Sequence, residues 1–345
     1  MKNNVNAYLL DLFTKQSEYT ISLGEKKTIL RNMAQFLIDK LTRKKYRRHT
    51  LTPQTLNSVS EKVNNSVKEE KPIHLVIPFG GYKHFWNPSH PEPDWAELFS
   101  LRYILDLVSP LLSVYGPGVI VEYVSEDMIL NRMNNYPVEA LEKYSEVFNN
   151  LINWYKQYVP SNLDLRFFRV GDRVDKKRLI AEVEKLIPER RIQFDMLSAE
   201  QKEQELLRSS RSIFWKGSKD LSLLSEKEKQ QIIIDSRIIE LAYYEMEAKP
   251  EFLGEYLSDN NHICLLTSFG TTHDNDVYQD LTIGSAHGSL VDFWIGRGVL
   301  EKGKEEYHPK IVSKNQYEQV KPKIHTEMVT GFLPYRNYQQ IEIVE

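Results

Sequence analysis

Three short apolar runs, separated by stretches of helical periodicity, limit how this chain can fold. Ile73-His-Leu-Val-Ile-Pro78, Val119-Ile-Val-Glu-Tyr-Val124 and Leu163-Asp-Leu-Arg-Phe-Phe-Arg-Val170 are rich in β-branched and aromatic residues and read as buried strands. Between the first two, Leu98, Leu101, Ile104, Leu105, Val108 and Leu112 recur at helical spacing, which predicts a helix from about Trp95 to Tyr115. Gly116-Pro-Gly118 ends it. Between the second and third, Tyr144, Phe148, Leu151, Ile152 and Tyr155 share one face of a helix from about Pro137 to Tyr158. Helical spacing returns at Leu179, Val183 and Leu186. Alternation of this kind predicts an α/β fold with a parallel sheet covered by helices. Right-handed crossovers make the three strands one half of a Rossmann-like, mostly parallel sheet flanked by helices.

The flanks read differently. Residues 1–70 form a helical N-terminal extension, with Leu30, Met33, Leu37 and Leu41 on one apolar face. The basic run Leu41-Thr-Arg-Lys-Lys-Tyr-Arg-Arg-His49 reads as a solvated helix end, where the dipole favours cations; contact with nucleic acid or membrane is the alternative. Thr52-Pro53 resembles a cap followed by proline at the first helical position. Lys68 to Pro72 is too short for a linker, so residues 71–345 follow as one domain carrying that extension. Met196 to Lys249 is charged and helical, and Ile263-Cys-Leu-Leu-Thr-Ser268 reads as a late strand.

Composition excludes several classes. A net charge of −3 over 345 residues supplies no global field for nucleic acid. Cys264 is the lone cysteine, so no internal disulfide and no multi-cysteine zinc cluster can form; its apolar neighbours read as a buried structural site. The N-terminus lacks a secretory pattern and no run of about 18 apolar residues occurs. A cytoplasmic protein without membrane or nucleic-acid partners is the expectation.

Chemistry concentrates from Pro78 to Glu97, just after the first strand. In sheets of this class ligands bind beyond the carboxyl ends of the strands, where this loop and the turn after Val124 both open. Two glycines allow close backbone approach, Lys83 supplies a cation for a phosphate or carboxylate, and Asn87 supplies a donor and an acceptor. Asp94 with Glu97 three residues on forms a capping box at the start of the next helix. Ser125-Glu-Asp127 reads as the cap of a short helix. His287, between glycine-containing turns and ahead of Asp292, is either a general acid–base group or an incidental loop histidine. Arg297, flanked by two glycines, either binds an anion or belongs to a plain turn. His84, His90, His273 and Asp274 match no zinc spacing, so no metal site is expected. Gly284-Ser-Ala-His-Gly-Ser289 lacks the nucleophile elbow of a serine hydrolase.

The order of these residues resembles the isocyanide (isonitrile) synthase family, which includes tyrosine and tryptophan isonitrile synthases and the fungal dityrosine-precursor enzymes. The resemblance rests on the strand-end proline, Lys83, Asn87 and Pro93-Asp-Trp-Ala-Glu97, then Tyr115-Gly-Pro-Gly118, Ser125-Glu-Asp127 and Tyr144. It is close from about 73 to 158 and looser from 225 to 295, where Ile234-Asp-Ser-Arg237 and Ala242-Tyr243 are similar to a family helix. The resemblance implies condensation of an L-amino acid with ribulose 5-phosphate to give an isonitrile, with no metal or organic cofactor. It implies Lys83 and His287 as catalytic groups. Asn87, Asp94, Glu97, Ser125, Asp127, Arg237 and Arg297 follow as substrate-binding groups, Lys83 and Arg237 converging on one anion pocket. The chain departs from the family where Leu265-Leu-Thr-Ser-Phe269 and His273 stand in place of later family elements. Two other readings follow from that: a fold relative acting on another phosphorylated metabolite or amino acid, and a non-catalytic interaction protein using Arg43 to His49.

Overall fold

The computed structural model describes residues 4–15, 19–47, 50–80, 83, 86–87, 89–125, 136–213, 224–247, 249, 251–252, 261–266, 281–283, 290–304 and 306–345. Helices α1 (Val5–Thr14), α2 (Leu23–Arg31), α3 (Met33–Leu41) and α4 (Pro53–Lys68) lead into β1 (Ile73–Phe79) and α5 (Trp95–Leu112). There follow β2 (Val119–Ser125), α6 (Val138–Tyr155), β3 (Leu163–Arg169), the single turn α7 (Val170–Arg173) and α8 (Lys176–Met196). Then come α9 (Ala199–Ile213), α10 (Glu226–Glu247), β4 (His262–Leu266) and β5 (Leu281–Thr282). The chain closes with β6 (Arg297–Lys302), β7 (Tyr307–Val312), α11 (Lys314–Val320), β8 (Ile324–Met328) and β9 (Gln340–Val344).

The expected α/β architecture is present. β1 to β5 form one sheet in the order β3-β2-β1-β4-β5, with every pair parallel. The strand order reverses between β1 and β4, the position where Rossmann-like sheets open a crevice for ligands. Period-two alternation sends Ile73, Leu75, Ile77 and Phe79 to one face, where they join α5, α6 and the N-terminal helices in the larger core. Val76, Val124 and Phe168 belong to a second core with Leu179 and Val183 of α8 and Ala242, Tyr243 and Met246 of α10. Cys264 is buried in β4, in line with the structural reading.

Two expectations need correction. Leu30 does not share the face of Met33, Leu37 and Leu41: it is 86% exposed on α2. The helix breaks at Asn32, which closes α2 and caps α3 by accepting from the Gln35 N–H at 3.1 Å. The basic run is not simply solvated. Arg43 donates to the carbonyls of Lys40 (2.8 Å) and Leu107 (2.7 Å), and Arg47 to that of Thr42 (2.6 Å). The N-terminal helices pack onto the domain, with Val5, Leu9, Phe13, Leu37, Leu41, Val59 and Val63 in the larger core.

A second sheet, in the order β7-β6-β9-β8, was not anticipated. β6 and β9 run parallel at its centre, with antiparallel partners outside. Its sequence signal is the alternation Gln340-Ile-Glu-Ile-Val344, in which Ile341 and Ile343 are buried.

The turn into β2 depends on a glycine. Gly118 has φ +79°, and a Cβ there would lie 1.9 Å from the Asn162 carbonyl oxygen, which accepts the Val119 N–H at 3.0 Å. Gly118→Ala is expected to lower the unfolding free energy by about 2 kcal/mol or more, from the left-handed backbone and the clash together. Chemical denaturation of the two proteins checks this.

Candidate functional site

The site begins at the N-terminus of α5. Asp94 caps the helix, its Oδ1 accepting from the Ala96 N–H at 2.8 Å, while Glu97 Oε2 accepts from the Asp94 N–H at 2.8 Å. This is the capping box expected from sequence. It differs from an ordinary cap in being buried, with Glu97 0% exposed. A buried carboxylate needs a cation or a proton.

Lys83 supplies the cation. Its side chain is 2% exposed, and Nζ lies 3.2 Å from Asp94 Oδ2 and 3.3 Å from Glu97 Oε2. It also donates to the Gly296 carbonyl. Three acceptors thus meet the three hydrogens of one ammonium group. Lys83 ties the loop after β1 to the start of α5 and to the segment entering β6.

The proton sits on Glu97. Burial, first of all, pushes its carboxyl up to about 8; Lys83 pulls the other way, and the neighbouring Asp94 charge adds to the rise. With Lys83 and Asp94 charged, a protonated Glu97 leaves the cluster neutral. The Tyr144 hydroxyl of α6 lies 2.9 Å from Oε1. Burial holds Tyr144 far above its ordinary range, so it keeps its own proton. It donates to Glu97 when the carboxylate is ionised and accepts when the acid is protonated.

The second sheet forms the opposite wall. Gly298 of β6 donates to Asp94 Oδ1 at 3.1 Å, and a Cβ on Gly298 would lie 2.3 Å from the Ala96 nitrogen, so glycine is what lets β6 touch the helix start. The Tyr338 hydroxyl donates to the Asp94 carbonyl at 2.8 Å, and Trp95 Nε1 to the Gln340 carbonyl at 2.6 Å. Arg297 makes a bidentate pair with Glu342 of β9, both contacts at 2.7 Å, and its guanidinium lies over the rings of Tyr317 and Trp86.

Lys83, Asn87, His90, Glu92, Asp94 and Arg297 line a cleft between the loop after β1 and the second sheet. Its volume is about 40 Å³, room for about three waters. That is enough for one polar head group, so the described residues bound only part of any site for an amino acid and a sugar phosphate.

The predicted residues divide accordingly. Lys83, Asn87, Asp94 and Arg297 come together in the cleft, with Glu97 directly behind Lys83. Arg297 corrects the expectation of a free anion-binding arginine or a plain turn, being the first residue of β6 and neutralised by Glu342. Arg237 does not join Lys83 in the cleft. It is buried on α10, bonded to Glu205 of α9 at 2.5 and 2.7 Å and to Glu240 at 2.7 Å, so the expected anion clamp is a helix–helix tie. Ser125 is the last residue of β2, and its hydroxyl is buried without a hydrogen-bond partner. His90 accepts from Arg336 at 2.8 Å. Asp127, His287, His84, His273 and Asp274 lie outside the described residues. Sequence reasoning missed Gly298, Tyr338, Glu342 and Glu92. Only Glu342 had a local signal, as the polar position of an alternating strand.

No protein-family model matches the sequence, and no curated protein matches it. Among solved structures, the PvcA protein from Pseudomonas aeruginosa shares the fold at a TM-score of 0.61 and 13% identity, over 89% of this chain and 99% of that one. The likeness extends over most of the chain rather than an isolated half-sheet. Among the described residues no helix is long and apolar enough to cross a membrane.

Because Glu97 holds its proton to about pH 8 when folded and to about 4.5 when exposed, the folded state binds the extra proton across that window. Its contribution to stability is therefore full below the lower value and is lost as pH rises through the upper one. Unfolding free energies measured from pH 5 to 9 are expected to decline in the wild type, and Glu97→Gln is expected to remove that part of the decline.

Proposed function

We propose that this chain is a biosynthetic enzyme of the isonitrile synthase type, condensing the amino group of an L-amino acid with ribulose 5-phosphate. The observation that carries this reading is the ordered set of residues from Pro78 to Tyr144 that resembles that family. These residues sit in a fold shared over 89% of the chain with the PvcA protein. Lys83, Asp94, Glu97 and Tyr144, four of the residues carrying the resemblance, are bonded to one another. Condensing an amine with a ketone requires a proton to be delivered to the departing oxygen and others to be removed from nitrogen. Lys83 at the cleft, backed by the proton on Glu97, is suited to deliver one. No metal or organic cofactor enters this reading.

A second reading is a fold relative with another phosphorylated or amino-acid substrate. Its amino-acid form is favoured by Arg237, Arg297 and Lys83 all being neutralised by carboxylates, which leaves a phosphate without a ready cation among them.

Incubation with ribulose 5-phosphate and a panel of L-amino acids, followed by mass spectrometry, is expected to yield an isonitrile acid. Lys83→Ala is expected to abolish it. Removing the cation from two buried carboxylates costs about 3–5 kcal/mol, so product is compared at equal folded protein by thermal melts, alongside Asn87→Ala at the cleft. Absence of product from folded wild type with every amino acid would favour the fold-relative reading.

A further inference from the structure

The cleft has one carboxylate with an oxygen that no hydrogen-bond donor meets. Of its two cations, Lys83 faces Asp94, Glu97 and the Gly296 carbonyl, and Arg297 is held by Glu342. Glu92 also lines the cleft, and its Oε2 is buried without a hydrogen-bond partner. Lys143 feels the charge of Glu92 but gives its hydrogen bond to Glu146 at 3.1 Å and stands 5.1 Å over the Tyr335 ring. Arg336 donates to His90. A buried carboxylate oxygen without a donor costs free energy that an incoming donor would recover.

The surroundings suit one kind of donor. Asn337 spends its amide hydrogens on the carbonyls of Glu92 (2.9 Å) and Pro93 (3.3 Å), which fixes the backbone at Glu92 and leaves the amide oxygen as a further acceptor. Trp86 and Trp95 add indole surface, which favours cations. A volume of about 40 Å³ admits an ammonium group but not a phosphorylated sugar. An anion would meet the Glu92 carboxylate in the cleft lining.

We propose that Glu92 receives a primary ammonium group in this cleft and sets the enzyme's preference for amines over their acylated forms. The inference rests on the reading of the site as one for an amino-acid substrate and assigns a residue to its amino end. In the bound state the ammonium donates to Glu92 Oε2 and to the Asn337 side-chain oxygen. The phosphate of a second substrate is then held by residues other than those of this cleft.

The test is calorimetric titration of the full chain with L-tyrosine, its N-acetyl derivative and its decarboxylated amine, tyramine, without ribulose 5-phosphate. The wild type is expected to bind L-tyrosine and tyramine and to reject the N-acetyl form. Glu92→Gln is expected to weaken both amines by about tenfold to a hundredfold, the range of a hydrogen bond to a charged group. Its melting temperature is expected to match the wild type, and Glu92→Asp to retain part of the binding. Equal affinity in wild type and Glu92→Gln, or no amine binding by the wild type, overturns the proposal. The condensation reading fails separately: a protein that binds amines through Glu92 but forms no isonitrile would keep this site and lose that activity.

Discussion

One buried ammonium group holds the site together. Lys83 reaches the two carboxylates of the α5 capping box nearby in sequence and the distant carbonyl of Gly296, linking three segments. Ordinary capping boxes lie in water and contribute about 1 kcal/mol. This one is covered by β6 on one side and α6 on the other, and burial turns a local cap into an electrostatic problem with a narrow set of solutions. Two carboxylates and one ammonium leave one negative charge over. The protonation of Glu97 removes it, and Tyr144 and the Asp94 N–H share the hydrogen bonding of that carboxyl. The same arrangement that makes the N-terminus of α5 rigid therefore places a carboxylic acid beside the cleft.

The second sheet depends on this knot as much as the first. β6 can approach the helix start because Gly298 has no side chain to collide with Ala96, and its N–H completes the coordination of Asp94. β9 is pinned by Trp95 and, through Glu342, by Arg297. The cleft lies where these contacts end, so its shape follows from how two sheets are joined across a helix N-terminus. That position agrees with the strand reversal between β1 and β4, since β1 leads directly into the loop that carries Lys83.

The parts of this arrangement legible in the sequence were those coded locally. Strand alternation at Ile73, Leu75 and Ile77, helical spacing from Leu98 to Leu112, and the Asp94–Glu97 cap each lie within a few residues, and each was found where expected. What could not be read were partnerships across long separations. Nothing in the spacing of Arg237 says that Glu205 neutralises it, and nothing near Arg297 points to Glu342. An arginine in a sequence looks like an anion site until its carboxylate is located. Leu30 shows the reverse case, in which apolar periodicity runs through a capping asparagine that divides one apparent helix into two.

The same long-range pairing decides what kind of molecule the cleft prefers. A count of basic residues near the strand end suggests a phosphate site, since Lys83 and Arg297 are both present. After pairing the picture changes, because Lys83 and Arg297 are both held by carboxylates while Glu92 Oε2 has no donor. Coulomb energies at a few ångströms in a site of low polarity exceed those in water severalfold, so which carboxylate holds which cation there matters more than pairings on the surface. The electrostatic character of this site is consequently a property of the fold, created when β6 and β9 deliver Gly296, Gly298 and Glu342 to a helix start that already carried its own acids. A chain keeping the Pro78 to Glu97 segment but changing Glu342 would free Arg297 and give the same cleft a cation for anions.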